Sequence, residues 1–273
     1  MKTSIITINY NNATGLHKTM ESILIQTYTD FEYIVVDGAS NDGSVEVLSE
    51  LGIRIQKRGI LFKSISEPDT GIYNAMNKGV QMANGEYLLF LNSGDCLVNK
   101  SVLENMVPLL DSIDIIQGNT ISIMDEKKVI NIGYGKSDIS FTDVYKGHFL
   151  HQATFAKKEL FNKYGYFDEN YKIGGDTVFY MKTLGLGSAT FRYVDFNIAY
   201  YDLNGISASK DEKWLKQKAK EDIMYDALLS PRLVKLCKED SCKIDAYNNL
   251  SKNVFFKKLI SLMLWINKAF DNK

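Results

Sequence analysis

Residues 31–44 read FEYIVVDGASNDGS, and this stretch decides the fold. Phe31–Val36 is rich in aromatic and β-branched side chains, which is typical of a strand buried on both faces of a sheet. The run stops at Asp37-Gly38, and Asn41-Asp42-Gly43 supply turn residues before a helix that should begin near Ser44. The stretch therefore predicts a buried strand, a polar loop at its carboxyl end, and a helix that packs back onto the sheet.

The same pattern repeats on both sides of this stretch. Ser4–Ile8 predicts a strand that ends in the polar loop Asn9–Asn12, Ile60–Ser66 a third strand, and Tyr87–Leu91 a fourth that ends in Asn92–Asp95. Between these strands, apolar residues recur at the spacing of a helix. Alternating strands and helices with long apolar strands predict an α/β fold with a Rossmann-like, mostly parallel central sheet flanked by helices.

Beyond about residue 108 the alternation loosens. The pattern predicts strands over Ile113–Gln117, Thr120–Met124, Lys128–Ile132 and Phe191–Tyr201, and helices over Thr177–Leu184, Asp211–Leu229 and Val254–Phe270. Because the last two helices follow the final strand, we expect a C-terminal helical extension.

Composition excludes several classes of protein. The net charge is −1 and the pI is about 6.3, so the protein has no overall positive charge that would attract nucleic acid. Three cysteines form no CxxC pair and suit a reducing compartment. The first residues do not resemble a signal peptide, and no run reaches the roughly 18 apolar residues of a membrane span. A cytoplasmic protein is expected.

Acidic residues follow three of the predicted strands. Asp37, Asp69 and Asp95 fall at or near carboxyl ends of strands, where open α/β sheets bind ligands. Carboxylates suit a phosphate that arrives with Mg²⁺ or Mn²⁺, and they accept hydrogen bonds from ribose or a base. The glycine-rich signatures of dinucleotide sites and P-loops are absent.

Five motifs in order resemble the inverting family 2 glycosyltransferases, which have a GT-A fold. They are SIITINYNN (residues 4–12), FEYIVVDGASNDGS (31–44), the segment EPDTGIYNAMNKGVQMANGEYLLFLNSGD (67–95), the segment HQATFAKKELFNKYGYFDENYKIGGDTVFY (151–180) and YYDLNGIS (200–207). The resemblance covers about residues 3–207. It implies transfer of a sugar from a nucleotide-sugar donor to a hydroxyl acceptor.

The resemblance also implies roles for matching residues on the donor side. Tyr10, Asp37 and Asp69 match positions that contact the nucleoside of the donor. Asp95 matches the last carboxylate of the family's metal motif, which holds a divalent cation, Mn²⁺ or Mg²⁺, against the diphosphate.

On the acceptor side, Asp176 matches the aspartate that serves as catalytic base. Gly205-Ile206-Ser207 resembles a flexible segment that closes near the donor. His151 has two interpretations, a contact to the diphosphate or acceptor and a core histidine.

The chain departs from the family pattern at three positions. Asn92 stands at the first carboxylate of the metal motif, Gly94 at another acidic position, and Gly175 where a Glu often precedes the base. The QxxRW motif of processive synthases is absent, so the resemblance implies transfer of one sugar.

We therefore expect a GT-A domain over residues 1–207, with a nucleotide-binding part at about 1–107 and an acceptor part at about 108–207, followed by an extension over 208–273. The expected setting is bacterial surface-polysaccharide synthesis, with a saccharide or lipid-linked acceptor. Two alternatives stay open, a nucleotidyltransferase that makes nucleotide sugars and an inactive relative that binds nucleotide or sugar.

The C-terminal residues 253–273 lie outside the resemblance. Phe255, Leu259, Leu262, Ile266 and Phe270 recur at helical spacing, and lysines outnumber the single acid Asp271. A basic amphipathic helix can lie on an anionic membrane surface, close the domain core, or form the seam of a homodimer.

Overall fold

The structure is a computed structural model that describes residues 2–124, 127–147, 149–203 and 211–240. The chain divides into two compact units, residues 1–222 and residues 223–273, and each is described by itself. The predicted closing segment at 205–207 and the predicted amphipathic helix at 253–273 lie outside the described residues.

The first half of the larger unit alternates strands and helices, as predicted. Its elements are β1 Thr3–Asn9, α1 Ala13–Leu24, β2 Glu32–Asp37, α2 Ser44–Lys57, β3 Leu61–Ser66, α3 Ile72–Met82 and β4 Tyr87–Phe90. β1 pairs in parallel with β2 and with β4, and β2 pairs in parallel with β3. The carboxyl ends of these strands therefore meet along one edge of the sheet.

The second half extends the same sheet with mixed pairing. Its elements are β5 Cys96–Leu97, α4 Val102–Met106, β6 Ile115–Met124, β7 Lys127–Asn131, α5 Phe141–Lys146, β8 Thr154–Lys157, α6 Glu159–Tyr164, α7 Gly175–Tyr180, β9 Phe191–Tyr201 and α8 Glu212–Asp226. Short 3₁₀ turns cover Val107–Leu109 and His151–Ala153, and a π-helical stretch, Met181–Gly185, continues α7. The strand order is β3-β2-β1-β4-β8-β6-β9-β5, with β7 paired to β6.

One long strand replaces two that the sequence predicts. The predicted strands Ile113–Gln117 and Thr120–Met124 form the single strand β6, whose pairing with β9 shifts register around Gly118. A Cβ on Gly118 would lie 2.6 Å from the carbonyl oxygen of Phe196, so the close approach of the two strands requires glycine. The glycine marks an irregularity within a strand and not a break.

The core lies between the sheet and the helices of its first half. β1, β2 and β4 are buried along their whole length, and α1 contributes Leu16, Met20 and Ile23 to the packed face. β3 is an edge strand and is largely exposed. The loops at the carboxyl ends of β1, β2 and β4 are thus anchored by strands that are buried on both faces.

In the unit that begins at residue 223, the described residues continue α8, and residues 231–240 are helical. Among the residues that the structure describes, no helix combines the length and apolar character that crossing a membrane requires.

Candidate active site

A cavity of about 600 Å³ opens at the carboxyl ends of β1 and β4, within the unit that ends at residue 222. Its lining includes four of the six residues predicted for the site: Tyr10, Asp69, Asp95 and His151. The other two adjoin lining residues, because Asp37 precedes Gly38 and Asp176 hydrogen-bonds to His151. Loops that are far apart in sequence therefore surround one cavity.

Asp37 ends β2 and is 0% exposed. Its Oδ1 accepts hydrogen bonds from Asn9 Nδ2 at 2.7 Å and Ser40 Oγ at 2.6 Å, and its Oδ2 accepts them from the Ser40 backbone N at 3.0 Å and Ser66 Oγ at 2.6 Å. Burial alone would raise the pKa of Asp37, but these hydrogen bonds outweigh it and hold the pKa below its ordinary value. The ionised carboxylate ties together the ends of three strands, and its predicted contact with the nucleoside stays a prediction.

Tyr10, Gly38 and Asp69 form one wall of the cavity. A Cβ on Gly38 would lie 2.6 Å from Asp69 Oδ2 and 3.0 Å from the ring of Tyr10, so a side chain at this position would displace one or both of them. Asp69 Oδ1 accepts a hydrogen bond from the Gly71 backbone N at 2.9 Å, and Tyr10 is 68% exposed. The wall offers an aromatic ring and a carboxylate side by side.

The loop after β4 holds Asp95 at the floor of the cavity. Thr19 Oγ1, on α1, donates to the carbonyl oxygen of Asp95 at 2.7 Å and accepts from the backbone N of Gly94 at 3.0 Å. Gly94 has φ +106°, a conformation that side chains rarely adopt. The backbone conformation therefore explains why glycine stands at this position of the motif, and the sequence pattern alone did not reveal this.

Asp95 is 4% exposed, and burial raises its pKa to about 7. The Asp202 backbone N donates to Asp95 Oδ1 at 2.9 Å and, with the charge of His151, opposes that rise, whereas the charge of Asp202 adds to it. A positive charge beside Asp95 would favour the ionised carboxylate.

The residues around Asp95 fit a divalent cation that a bound phosphate helps to hold. Asn92 Oδ1 and Ser93 Oγ are buried and lack a hydrogen-bond partner. Across the described ranges, no group of three or more His, Cys, Asp or Glu side chains is placed to bind a metal. Mg²⁺ usually keeps several waters and uses one or two carboxylates plus substrate phosphates, so the protein needs to supply only one carboxylate and these oxygens as ligands.

His151 connects the metal motif to Asp176. Its Nδ1 lies 3.1 Å from Asp176 Oδ2 and its Nε2 lies 3.3 Å from Asn92 Nδ2. In the neutral tautomer that satisfies both partners, Nδ1–H donates to the carboxylate and Nε2 accepts from the amide. Burial lowers the pKa of His151, but the hydrogen bond to Asp176 and the charges of Asp176 and Asp95 raise it above its ordinary value.

Asp176 is oriented by two donors and a neighbouring hydroxyl. Besides His151, the Thr177 backbone N donates to its Oδ1 at 2.9 Å. The Tyr73 hydroxyl, whose one proton is donated to the carbonyl oxygen of Ile173 at 2.6 Å, lies 3.2 Å from the same Oδ1. A Cβ on Gly175 would lie 2.8 Å from the ring of Tyr73, so glycine before Asp176 lets α7 approach α3 closely. Tyr73 keeps its proton, because burial and the nearby carboxylate raise its pKa well above the ordinary value.

Sequence reasoning missed three residues of this arrangement. Tyr73 and Asp202 lie inside quoted motifs, but nothing in a single sequence separates them from packing residues. Glu221 is 2% exposed and accepts three backbone hydrogen bonds near Asp176, although its helix has the charge pattern of a solvated face. The motifs thus identified carboxylates around the cavity. The groups that orient them come from distant parts of the chain, and the motifs did not identify these groups.

Comparison with known proteins is consistent with this geometry. The family profile described as Glycosyl transferase family 2 matches residues 4–183. A PGL/p-HBAD biosynthesis glycosyltransferase of Mycobacterium bovis is 28% identical over 219 residues, which cover 78% of this chain and 82% of that protein. An uncharacterized glycosyltransferase of Mycobacterium tuberculosis is 30% identical over 212 residues, covering 76% and 78% of the two chains.

Two solved structures share the fold. S. aureus TarS 1–349 in complex with UDP-GlcNAc has a TM-score of 0.61 at 21% identity, and the match covers 74% of this chain and 58% of that one. The mannosyltransferase PcManGT from Pyrobaculum calidifontis, in complex with GDP-Man and Mn²⁺, has a TM-score of 0.63 at 14% identity and covers 97% and 84%. At these identities the likeness establishes the GT-A fold.

Proposed function

The chain belongs to glycosyltransferase family 2, and we propose that it transfers a single sugar from a nucleotide-sugar donor to a hydroxyl acceptor with inversion at the anomeric carbon. The setting we propose is bacterial cell-surface polysaccharide synthesis, with a saccharide or lipid-linked acceptor. The protein would act in the cytoplasm or at the inner face of the membrane.

One observation carries this proposal: a residue that lines the cavity proposed for the donor is hydrogen-bonded to the proposed base. Asp95 lies at the floor of the cavity, and His151, in its lining, hydrogen-bonds to Asp176. His151 thus links Asn92, in the loop that carries the carboxylate proposed for the diphosphate-bound cation, to Asp176, the carboxylate proposed for the acceptor proton. An inverting transfer needs these two functions on opposite sides of the anomeric carbon.

In the proposed reaction, Asp176 takes the proton of the acceptor hydroxyl as the oxygen attacks the anomeric carbon. The bond from that carbon to the diphosphate oxygen breaks, and its electron pair leaves with the nucleoside diphosphate. His151, Tyr73 and the backbone of Thr177 hold the carboxylate in one orientation, which leaves further lone pairs for the acceptor. A divalent cation held by Asp95 would supply charge stabilisation for the leaving group.

The wall of Tyr10, Gly38 and Asp69 offers groups that can bind a nucleoside. A tyrosine ring can stack on a base, and a carboxylate can accept hydrogen bonds from ribose hydroxyls or a base edge. PcManGT was solved with GDP-Man and Mn²⁺ and TarS with UDP-GlcNAc, so both nucleosides belong in a test of the donor.

The test is a panel of UDP-, GDP- and dTDP-sugars, monitored for release of nucleoside diphosphate with and without Mn²⁺ or Mg²⁺. Release that needs an acceptor and disappears in D176N supports transfer. D195N, which changes an exposed aspartate of β9, is the matched control. Product NMR, which gives the anomeric configuration, then decides between inversion and retention.

Two other outcomes would replace the proposal. Formation of a nucleotide sugar from a sugar phosphate and a nucleoside triphosphate would identify a nucleotidyltransferase. Nucleotide-sugar binding without turnover for every donor, in the presence of both cations, would identify an inactive binding relative, the alternative that Asn92 in the metal motif keeps open.

A further inference from the structure

Glu221 is a buried carboxylate in a helix that is otherwise mostly exposed. It lies on α8, beyond the residues that the family profile matches, and is 2% exposed. A carboxylate removed from water is costly unless hydrogen bonds satisfy its oxygens. The contacts of Glu221 therefore indicate what this position does.

Three successive backbone N–H groups converge on this carboxylate. Glu221 Oε1 accepts from the Lys172 backbone N at 2.6 Å, and Oε2 accepts from the backbone N of Ile173 at 3.1 Å and of Gly174 at 2.9 Å. Gln217 Nε2, one turn earlier on α8, donates to Oε1 at 2.6 Å. Converging backbone amides of this kind form an anion-binding concavity, and here a side chain of the same chain fills it.

The segment that Glu221 holds leads directly to Asp176. Gly174 is the N-cap of α7, and Asp176 follows two residues later. The Tyr73 hydroxyl donates to the carbonyl oxygen of Ile173 at 2.6 Å, so the backbone of Ile173 is held through its N–H by α8 and through its C=O by α3. Two elements far apart in sequence thus fix the start of α7.

We propose that Glu221 is a positioning residue for Asp176, an inference that rests on the proposed role of Asp176 as the base. The helix α8 then completes the active site without contacting substrate. A general base has to reach the acceptor hydroxyl within hydrogen-bond distance, and a misplacement of about 1 Å can cost about 10²-fold in rate. Loss of the Glu221 contacts should therefore act on the transfer step.

The experiment compares the full-length chain with E221A, E221Q and D222N. E221Q keeps one carbonyl oxygen for the backbone amides, whereas E221A keeps none. D222N alters the neighbouring exposed residue, which pairs with Lys218, and is the matched control. We expect kcat to fall by about 10- to 100-fold in E221A and by less in E221Q, with D222N within twofold of the wild type.

The split between kcat and KM separates positioning from a structural role. None of the three N–H donors lines the donor cavity, so the KM for the donor should change by less than about threefold in both Glu221 variants. A kcat within twofold of the wild type in folded E221A, or in E221Q if E221A does not fold, overturns the proposal. Equal losses in kcat and in donor affinity also overturn it, because they indicate general disruption of the site.

Hydrogen exchange provides a readout that does not need turnover. The amides of Lys172, Ile173 and Gly174 should exchange slowly in the wild type and in D176N, and fast in both Glu221 variants. Unchanged protection in E221A contradicts the contact itself. If D176N abolishes transfer and E221A does not, this inference alone fails, whereas unchanged transfer in D176N removes the proposed base and this inference with it.

Discussion

At the scale of single residues, Asp176 is the side chain on which the proposed chemistry depends. Its two oxygens accept from His151 and the Thr177 backbone and lie beside the Tyr73 hydroxyl, and these contacts orient it but leave lone pairs for an acceptor. Asp176→Asn keeps the shape of the side chain and removes its basicity. We expect transfer to fall by about 10²- to 10⁴-fold, with the Kd for nucleoside diphosphate unchanged.

Calorimetry of nucleoside diphosphate binding and initial rates of transfer check this expectation. A transfer rate in D176N equal to that of the wild type would assign the base to another residue. An equal loss in D195N would point to general sensitivity of the assay to charge.

Asp95 is the second decisive side chain, because it is a buried carboxylate in the same loop as the unpaired oxygens Asn92 Oδ1 and Ser93 Oγ. Asp95→Asn keeps one oxygen that can accept the Asp202 backbone N–H and removes the charge that would attract a cation. We expect the Mn²⁺ or Mg²⁺ concentration for half-maximal activity to rise at least about tenfold, since a charge-assisted contact is lost.

The measurement is a titration of activity with each cation in the wild type and in D95N. Nucleoside diphosphate affinity should fall in the presence of the cation and change little in its absence. Full wild-type activity in excess chelator would identify a metal-independent enzyme and would give Asp95 a role other than cation binding.

At the scale of elements, Glu32 joins the first three strands below the site. It begins β2 and is 0% exposed, and it accepts from Ser4 Oγ at 2.5 Å and from the Asn84 backbone N at 2.7 Å, with Lys63 Nζ at 2.5 Å. Burial alone would raise the pKa of Glu32, but these partners lower it below its ordinary value.

Because the pKa of Glu32 is lower in the folded than in the unfolded chain, its contribution to stability is present above about pH 4.3 and is lost as the pH falls through the folded-state pKa. Glu32→Gln should lower the free energy of unfolding at pH 7 by about 1–3 kcal/mol. The deficit should shrink as the pH falls below 4. Urea titrations at both pH values, with the exposed E86Q as control, check this sign; a deficit that grows in acid would contradict it.

The order of elements in the first half was predictable, because each strand is a local apolar run that ends in turn residues. β2 and β4 begin and end within a residue of the predicted bounds. The short strands β5 and β8 were not predicted: β8 is four residues long and follows a 3₁₀ turn, and its place between β4 and β6 depends on antiparallel pairing with both. Partners far apart in sequence leave no local periodicity to detect.

At the scale of the whole molecule, the motifs predicted the carboxylates of the site better than the contacts between them. Tyr10, Asp69 and Asp95 line one cavity because the parallel strands before them end at one edge, and His151 joins them because the antiparallel β8 begins there. The contact of His151 with Asp176 joins residues 25 positions apart, and those of Glu221 reach back 47 to 49 positions. Such contacts depend on tertiary packing, which composition and spacing do not encode.

The division of the chain into compact units also depends on contacts throughout the molecule. The unit that contains the cavity extends to residue 222 and so includes most of α8, whereas the sequence-based boundary at residues 207 and 208 stays a prediction. A chain shortened to end at Asn249 retains Glu221 and every described contact of the site. The residues that it loses include the predicted basic amphipathic segment, so activity and membrane binding can be separated.

Liposome flotation tests the role of this segment, which lies outside the described residues. Its lysines and its apolar stripe predict attraction to anionic headgroups and shallow insertion, so the full chain should float with vesicles rich in anionic lipid and stay unbound with neutral ones. A K257E/K258E variant should bind more weakly, because each basic residue near the surface contributes about 1 kcal/mol. The chain that ends at Asn249 should not float, yet it should transfer sugar to a water-soluble acceptor at the rate of the full chain. Flotation of neither chain would instead favour a segment that closes the core or joins two copies, and sedimentation of the full chain would then distinguish a monomer from a dimer. If only the full chain floats, the membrane surface is where the acceptor is met, and a lipid-linked acceptor becomes the first to test.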